Sequence, residues 1–80
     1  MDTQSFLVGM ADVLEMSSDE INEQTVLMPD RWDSLAILGA VVLIDEQFGV
    51  TVPTNELSKC DSIEAIIQLV QRTLAEPFDS

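Results

Sequence analysis

The stretch DRWDSLAILGAVVLIDEQFG, residues 30–49, contains the strongest structural signal in this 80-residue chain. Asp33 suits a helix N-cap, because a carboxylate there accepts hydrogen bonds from unpaired amides of the first turn. Gly49 stands where a left-handed C-cap residue belongs. The sequence therefore predicts a helix over residues 33–48. Its inward apolar stripe consists of Ile37, Ala40, Val41, Ile44 and Phe48.

Ser34 falls in the first turn of this helix, beside the positive end of the helix dipole. A serine here is often only part of the cap, and the residues alone leave that interpretation open. A phosphate ester on its hydroxyl would meet free backbone amides, which bind anions well. Leu35, Leu38 and Val42 recur at about one-turn spacing and are not needed for the inward stripe. They predict an apolar crevice or docking face beside a modified serine.

Two more long helices are predicted. The first covers residues 3–15, with Thr3 or Asp2 as its N-cap. The last begins at Asp61, which forms a capping box with Glu64, and ends before Pro77. Residues 75–80 are expected to be a frayed tail. The apolar stripes are Phe6, Met10, Val13 and Leu14 in the first helix, and Ile63, Ile66, Ile67, Val70 and Leu74 in the last.

The remaining segments are loops. Residues 16–32 show no sustained period, and such long loops are usually held by their own apolar side chains. We expect Ile21, Trp32 and one or two of residues 26–28 to hold this one. Residues 50–52 allow a short strand that Pro53 ends, and Thr54 is expected to cap a short turn through residue 57. The prediction is a single all-α domain over residues 1–80, a bundle of three longer helices and one short helix with a long first loop.

Charge and composition exclude several classes of function. Fifteen acids face three bases, for a net charge of −12. Such a surface repels nucleic acid and anionic membrane, and favours encounters with proteins that carry basic patches. With no histidine and a single cysteine, the chain has no zinc site and no histidine-dependent triad. No apolar run is long enough to span a membrane. We expect a cytoplasmic monomer that binds no metal.

Two smaller features have simple interpretations. Cys60 precedes the predicted cap and is expected to be a small buried residue, because nearby acids oppose a reactive thiolate. The acids Asp19, Glu20 and Glu23 lack the spacing of an EF-hand loop. They are expected to form a solvated face with at most loose affinity for divalent cations.

The run WDSLAILGAVVLIDEQFGVTVP resembles the second helix and following loop of acyl carrier and peptidyl carrier proteins. Asp-Ser-Leu at the helix start, Phe-Gly near its end and the closing proline carry the likeness, and the helix order extends it over the chain. The resemblance implies that Ser34 is esterified by phosphopantetheine, with Asp33 and Leu35 completing the motif. The arm is installed from coenzyme A by a phosphopantetheinyl transferase. Its thiol then carries acyl or aminoacyl groups as thioesters, and the chain itself catalyses nothing.

The resemblance further implies a loading ligase and downstream synthase or transferase enzymes as partners, in fatty-acid, polyketide or other specialised metabolite biosynthesis. The expected partner-binding residues are Leu38, Val42, Asp45, Glu46 and Glu56. Ala36 and Gly39 stand where such carriers often have acids, which points to a specialised stand-alone carrier. The alternative is a non-covalent acidic adaptor that binds basic proteins.

Overall fold

Helices account for most of the described part of the chain, which is residues 3–75 of a computed structural model. They are α1 (Thr3–Val13), α2 (Ser34–Phe48), α3 (Thr54–Leu57) and α4 (Ile63–Ala75). Within residues 3–75 the extended pairing is limited to an isolated antiparallel bridge between Val26 and Ser62, so residues 50–52 form no strand. The predicted all-α bundle of three longer helices and one short helix is confirmed.

The core lies between the helices and is largely aliphatic. Helices α1 and α2 approach closely at Gly9, where a Cβ atom would lie 2.6 Å from Leu43 Cδ1. The rings of Phe6 and Phe48 also meet across these helices, with centroids 5.7 Å apart. The largest fully buried side chains are Phe6, Met10, Ile44, Val52, Leu57, Ile63, Ile66 and Val70.

The long loop between α1 and α2 is held as predicted. Ile21, Leu27 and Trp32 are buried, whereas Val26 and Met28 are more than half exposed. Trp32 also donates a hydrogen bond from its indole nitrogen to the carbonyl of Leu57, over 3.0 Å. The loop is therefore tied directly to the end of α3.

Both ends of α2 match the sequence pattern. Asp33 has an extended backbone and its side chain caps the helix, while Gly49 is left-handed with φ 72° and donates its amide to the Asp45 carbonyl. A left-handed conformation costs a residue with a Cβ about 1–2 kcal/mol, and glycine avoids that cost.

The ends of α1 and α3 differ from the predictions. Helix α1 ends at Val13 rather than at residue 15, because Glu15 takes a left-handed conformation with φ 56°. Thr3 is already helical and so is not the cap. Asp2, the other predicted cap, lies outside the described residues. The prediction that Thr54 caps α3 is wrong. Pro53 occupies the capping position and makes no side-chain hydrogen bond there.

The start of α4 also requires correction. Its first turn is capped by Ser62, whose Oγ accepts from the amide of Ala65 over 3.2 Å. Asp61 does not serve as the cap, because it lies one residue further out and its carbonyl accepts from the amide of Leu27. The long loop thus pairs with this segment, and the capping residue of α4 falls one position later than predicted, at Ser62 instead of Asp61.

The set of α4 residues that face the core differs from the prediction at one position. Leu74 is 44% exposed, whereas Leu69 is buried and replaces it in the core. The predicted end at Pro77 and most of the predicted tail lie outside the described residues. Between residues 3 and 75, no helix is long and apolar enough to cross a membrane.

Candidate functional site

The first turn of α2 presents an exposed serine in a fixed position. Asp33 Oδ1 accepts from the Ala36 amide over 2.9 Å, and the Asp33 carbonyl accepts from the Ile37 amide at the same distance. These two bonds hold the turn on both sides of Ser34, which is exposed to solvent. The aspartate therefore fixes the direction of the serine without covering its hydroxyl.

Two backbone amides at this helix end are unused. The N–H groups of Ser34 and Leu35 make no hydrogen bond with any group in the described residues. Unpaired amides at the positive end of a helix stabilise a phosphate group. The position beside the Ser34 hydroxyl therefore suits the phosphodiester of a phosphopantetheine arm.

A groove begins at Ser34 and runs between α2 and α3. Its volume is about 320 Å³, near the lower end of the range for small-molecule sites, roughly 300–1,000 Å³. Ile37 and Leu38 contribute apolar surface from α2, and the α3 side is polar. The residues that line it are Ser34, Ile37, Leu38, Thr54, Asn55 and Ser58. A linear arm leaving Ser34 would find hydrogen-bonding groups on one side and apolar surface on the other.

A second groove, of about 430 Å³, lies on the opposite side of the α2 start. Val13 and Gly39 line it, together with Arg31 and three acids: Glu15, Asp30 and Asp33. Arg31 donates from Nη1 to the carbonyl of Leu14 over 3.1 Å. This bond ties the loop to the end of α1 and places the arginine in a structural role.

The predicted partner-binding residues of α2 share its exposed surface. Leu38 and Val42 are 54% and 56% exposed, and Leu35 reaches 79%. Asp45 and Glu46 are also exposed further along the helix. We call Leu35, Leu38 and Val42 the apolar strip. It begins next to Ser34 and is followed along α2 by the two acids.

Glu56 differs from the other predicted partner-binding residues. It is half-buried in α3 and accepts from Arg72 Nη2 over 2.8 Å. Its carboxylate is thus paired within the molecule, whereas Asp45 and Glu46 make no ion pair with any group in residues 3–75.

Cys60 is half-buried rather than buried, and it lines a groove together with both members of this ion pair. Burial, followed by the carboxylates of Asp61 and Glu56, raises the pKa of the Cys60 thiol, although Arg72 opposes the shift. The acids Asp19, Glu20 and Glu23 are exposed. Across the described residues, no cluster of cysteine and acidic side chains has an arrangement that would hold a metal ion.

Sequence reasoning located the serine, its cap and the apolar strip, but it missed the polar wall of the first groove. Thr54, Asn55 and Ser58 face Ser34 only because α3 packs against the start of α2. The one available signal was Trp32, whose indole needs a buried hydrogen-bond acceptor.

Comparison with known protein families gives a match over most of the chain. The family model described as "Phosphopantetheine attachment site" matches residues 7–70. Neither a curated protein nor a solved structure matches the chain.

Proposed function

The chain belongs to the phosphopantetheine attachment site family, and we propose that Ser34 is the residue that carries the arm. The match confirms the resemblance to acyl and peptidyl carrier proteins, with phosphopantetheine as a cofactor held covalently on a serine. When bound, the arm supplies a terminal thiol that forms thioesters with acyl or aminoacyl groups. The protein acts as a carrier that presents these groups to other enzymes and has no catalytic activity of its own.

The choice of Ser34 rests on one observation: its exposed hydroxyl stands next to two unused amides at a helix N-terminus. Two other serines flank helices, Ser58 at the α2–α3 groove and Ser62 at the start of α4, and the hydroxyl of each already makes a hydrogen bond. Ser58 donates its hydroxyl to the carbonyl of Asn55, and Ser62 accepts from the amide of Ala65. Neither one lies inside the first turn of a helix, because Ser58 follows α3 and Ser62 precedes α4.

Three groups of the chain support the attached arm. The Asp33 carboxylate holds the first turn of α2 and so orients the Ser34 oxygen. The free amides of Ser34 and Leu35 offset the phosphate charge, which matters in a chain of net charge −12. The Asp33 carboxylate accepts from the Ala36 amide and lies at the positive end of the helix dipole. Its own negative charge is therefore partly offset.

The apolar strip and its neighbouring acids are proposed as the partner-docking surface. An enzyme that reaches the arm must approach the start of α2, where Leu35, Leu38 and Val42 are exposed. Asp45 and Glu46 lie farther along the helix and would steer a basic partner to it. Glu56 contributes less directly, because Arg72 already pairs with it.

The partners we propose are a phosphopantetheinyl transferase, a loading ligase, and synthase or transferase enzymes of fatty-acid, polyketide or other specialised metabolite biosynthesis. Ala36 and Gly39 stand at positions where such carriers often have acids. Ala36 is buried, and Gly39 lines the second groove. The docking surface is accordingly more apolar near the arm, as suits a specialised carrier that works as a monomer in the cytoplasm.

The test is intact-mass analysis after incubation with coenzyme A and a broad-specificity phosphopantetheinyl transferase. The wild-type chain should gain the mass of one phosphopantetheine, and Ser34→Ala should gain none. Ser58→Ala is the matched control, because it removes a second hydroxyl from the same groove and should be modified normally. An unchanged mass in the wild-type protein, with a known carrier modified in the same tube, would contradict the proposal and favour the non-covalent adaptor.

A further inference from the structure

We propose that Trp32 is a positioning residue that holds α3 in place as the movable wall of the groove beside Ser34. This inference rests on the proposed attachment at Ser34, because the groove matters only if an arm begins there. It follows from the contact between the residues just before Ser34 and the short helix across the groove.

Helix α3 has little stability of its own. It contains only four residues, and Pro53 at its capping position provides no side-chain hydrogen bond. Isolated helices of this length do not form in water. Its position therefore depends on the buried side chain of Leu57 and on bonds to the rest of the molecule.

Trp32 provides such a bond from the site itself. Its side chain is 8% exposed, and its indole N–H donates to the Leu57 carbonyl at the end of α3. Two residues later the chain reaches Ser34. The serine and the end of α3 are thus linked through one buried side chain, while Thr54, Asn55 and Ser58 stand across the groove from α2.

The link also explains how the groove would open. Breaking the indole bond leaves the Leu57 carbonyl with the Cys60 amide as a partner, so it remains satisfied while α3 moves. The donor that loses its partner is the indole N–H. Opening at α3 also has to withdraw the buried Leu57 side chain from the core and to break the Glu56–Arg72 ion pair. It would change the space available to the arm and its cargo.

Amide exchange followed by NMR on the full chain tests this proposal. Trp32→Phe keeps an aromatic ring but removes the donor. It should raise the exchange of the Leu57, Ser58 and Cys60 amides by about 2- to 12-fold beyond any change in α4, as the loss of one net hydrogen bond predicts. Ile21→Val is the matched control, because it weakens the same loop by a similar amount. It should raise exchange in α3 and α4 by the same factor.

Equal effects of the two variants on α3 would overturn the proposal. Should Trp32→Phe fail to fold, the wild-type protein provides a second measurement, because it contains a single tryptophan. Its indole N–H should then open with the same free energy as the α3 amides, and an indole that opens only with the global unfolding of α4 would refute the link. Intact mass of the same samples after transferase treatment separately tests attachment at Ser34, so the two proposals fail independently.

Discussion

Replacing Gly39 with alanine should stabilise the protein. Glycine in a helix interior costs about 1 kcal/mol relative to alanine. In this fold a Cβ at Gly39 would meet only the two methyl carbons of Val13, both at 3.5 Å, which is an ordinary contact distance. Almost the full propensity gain should therefore appear in the free energy of unfolding. For a domain of this size that corresponds to a rise in Tm of about 4–8 °C.

Gly9→Ala is the matched control, because it adds the same methyl group to the interior of another helix. Its Cβ would lie 2.6 Å and 2.9 Å from the two terminal carbons of Leu43. Leu43 would have to move, so the gain should be clearly smaller than at Gly39 or should become a loss. Urea and thermal unfolding followed by circular dichroism would measure both variants.

A Gly39→Ala variant that is no more stable than the wild type, or less stable than Gly9→Ala, would refute this reasoning. A gain at Gly39 would have a functional meaning as well. Because the described residues contain nothing that excludes a side chain there, the reason for the glycine would lie outside the fold. A partner or a cargo group that approaches the second groove supplies such a reason.

Four further outcomes are expected. Tm should rise between low and moderate ionic strength, because salt screens repulsion in a chain of net charge −12, and a fall would contradict this. Ile44→Ala, at a fully buried position, should cost about 2–5 kcal/mol. Leu35→Ala, on the exposed apolar strip, should change the free energy of unfolding by less than about 0.5 kcal/mol, while slowing transfer from the carrier to a partner enzyme. Equal losses of unfolding free energy in Ile44→Ala and Leu35→Ala would be inconsistent with the core described. The raised pKa of Cys60 lowers the fraction of thiolate near neutral pH. Alkylation of Cys60 by iodoacetamide should therefore be slower than that of an exposed cysteine peptide, and should accelerate only at alkaline pH. An alkylation rate equal to the peptide's at neutral pH would contradict the raised pKa.

Local sequence signals predicted the elements whose causes are local. Asp33 and Gly49 cap α2 as expected, because each acts on amides or carbonyls a few residues away. Apolar residue type likewise pointed to buried side chains in the long loop. Ile21 and Trp32 are buried as expected, and Leu27 is the buried member of residues 26–28. For the two caps of α2, the physical reason lies within about one turn of the residue concerned.

Two of the errors, both in α4, arose where distant segments meet. Asp61 and Ser62 are both good caps by residue type. The Asp61 carbonyl pairs with Leu27, thirty-four positions earlier, and Ser62 caps α4. The choice between Leu69 and Leu74 as a core residue depends on how α4 is rotated against the other helices. No periodicity within α4 alone contains that information.

The candidate site shows the same division. Ser34 and the exposed strip could be predicted because α2 supplies both the hydroxyl and the leucines. The groove beside Ser34 could not, since its second wall comes from α3, twenty residues later. Its position depends on contacts with distant residues: the buried Leu57 side chain, the bond from Trp32 to Leu57 and the Glu56–Arg72 ion pair.

Direct localisation of the arm by fragmentation mass spectrometry is the most decisive measurement. Cleavage after Arg31 and Lys59 gives a peptide of residues 32–59 that contains two serines, Ser34 and Ser58. In chain modified by a phosphopantetheinyl transferase, fragment ions should place the phosphopantetheine on Ser34. A modification found on Ser58, or in any other peptide, would contradict attachment at the N-terminus of α2.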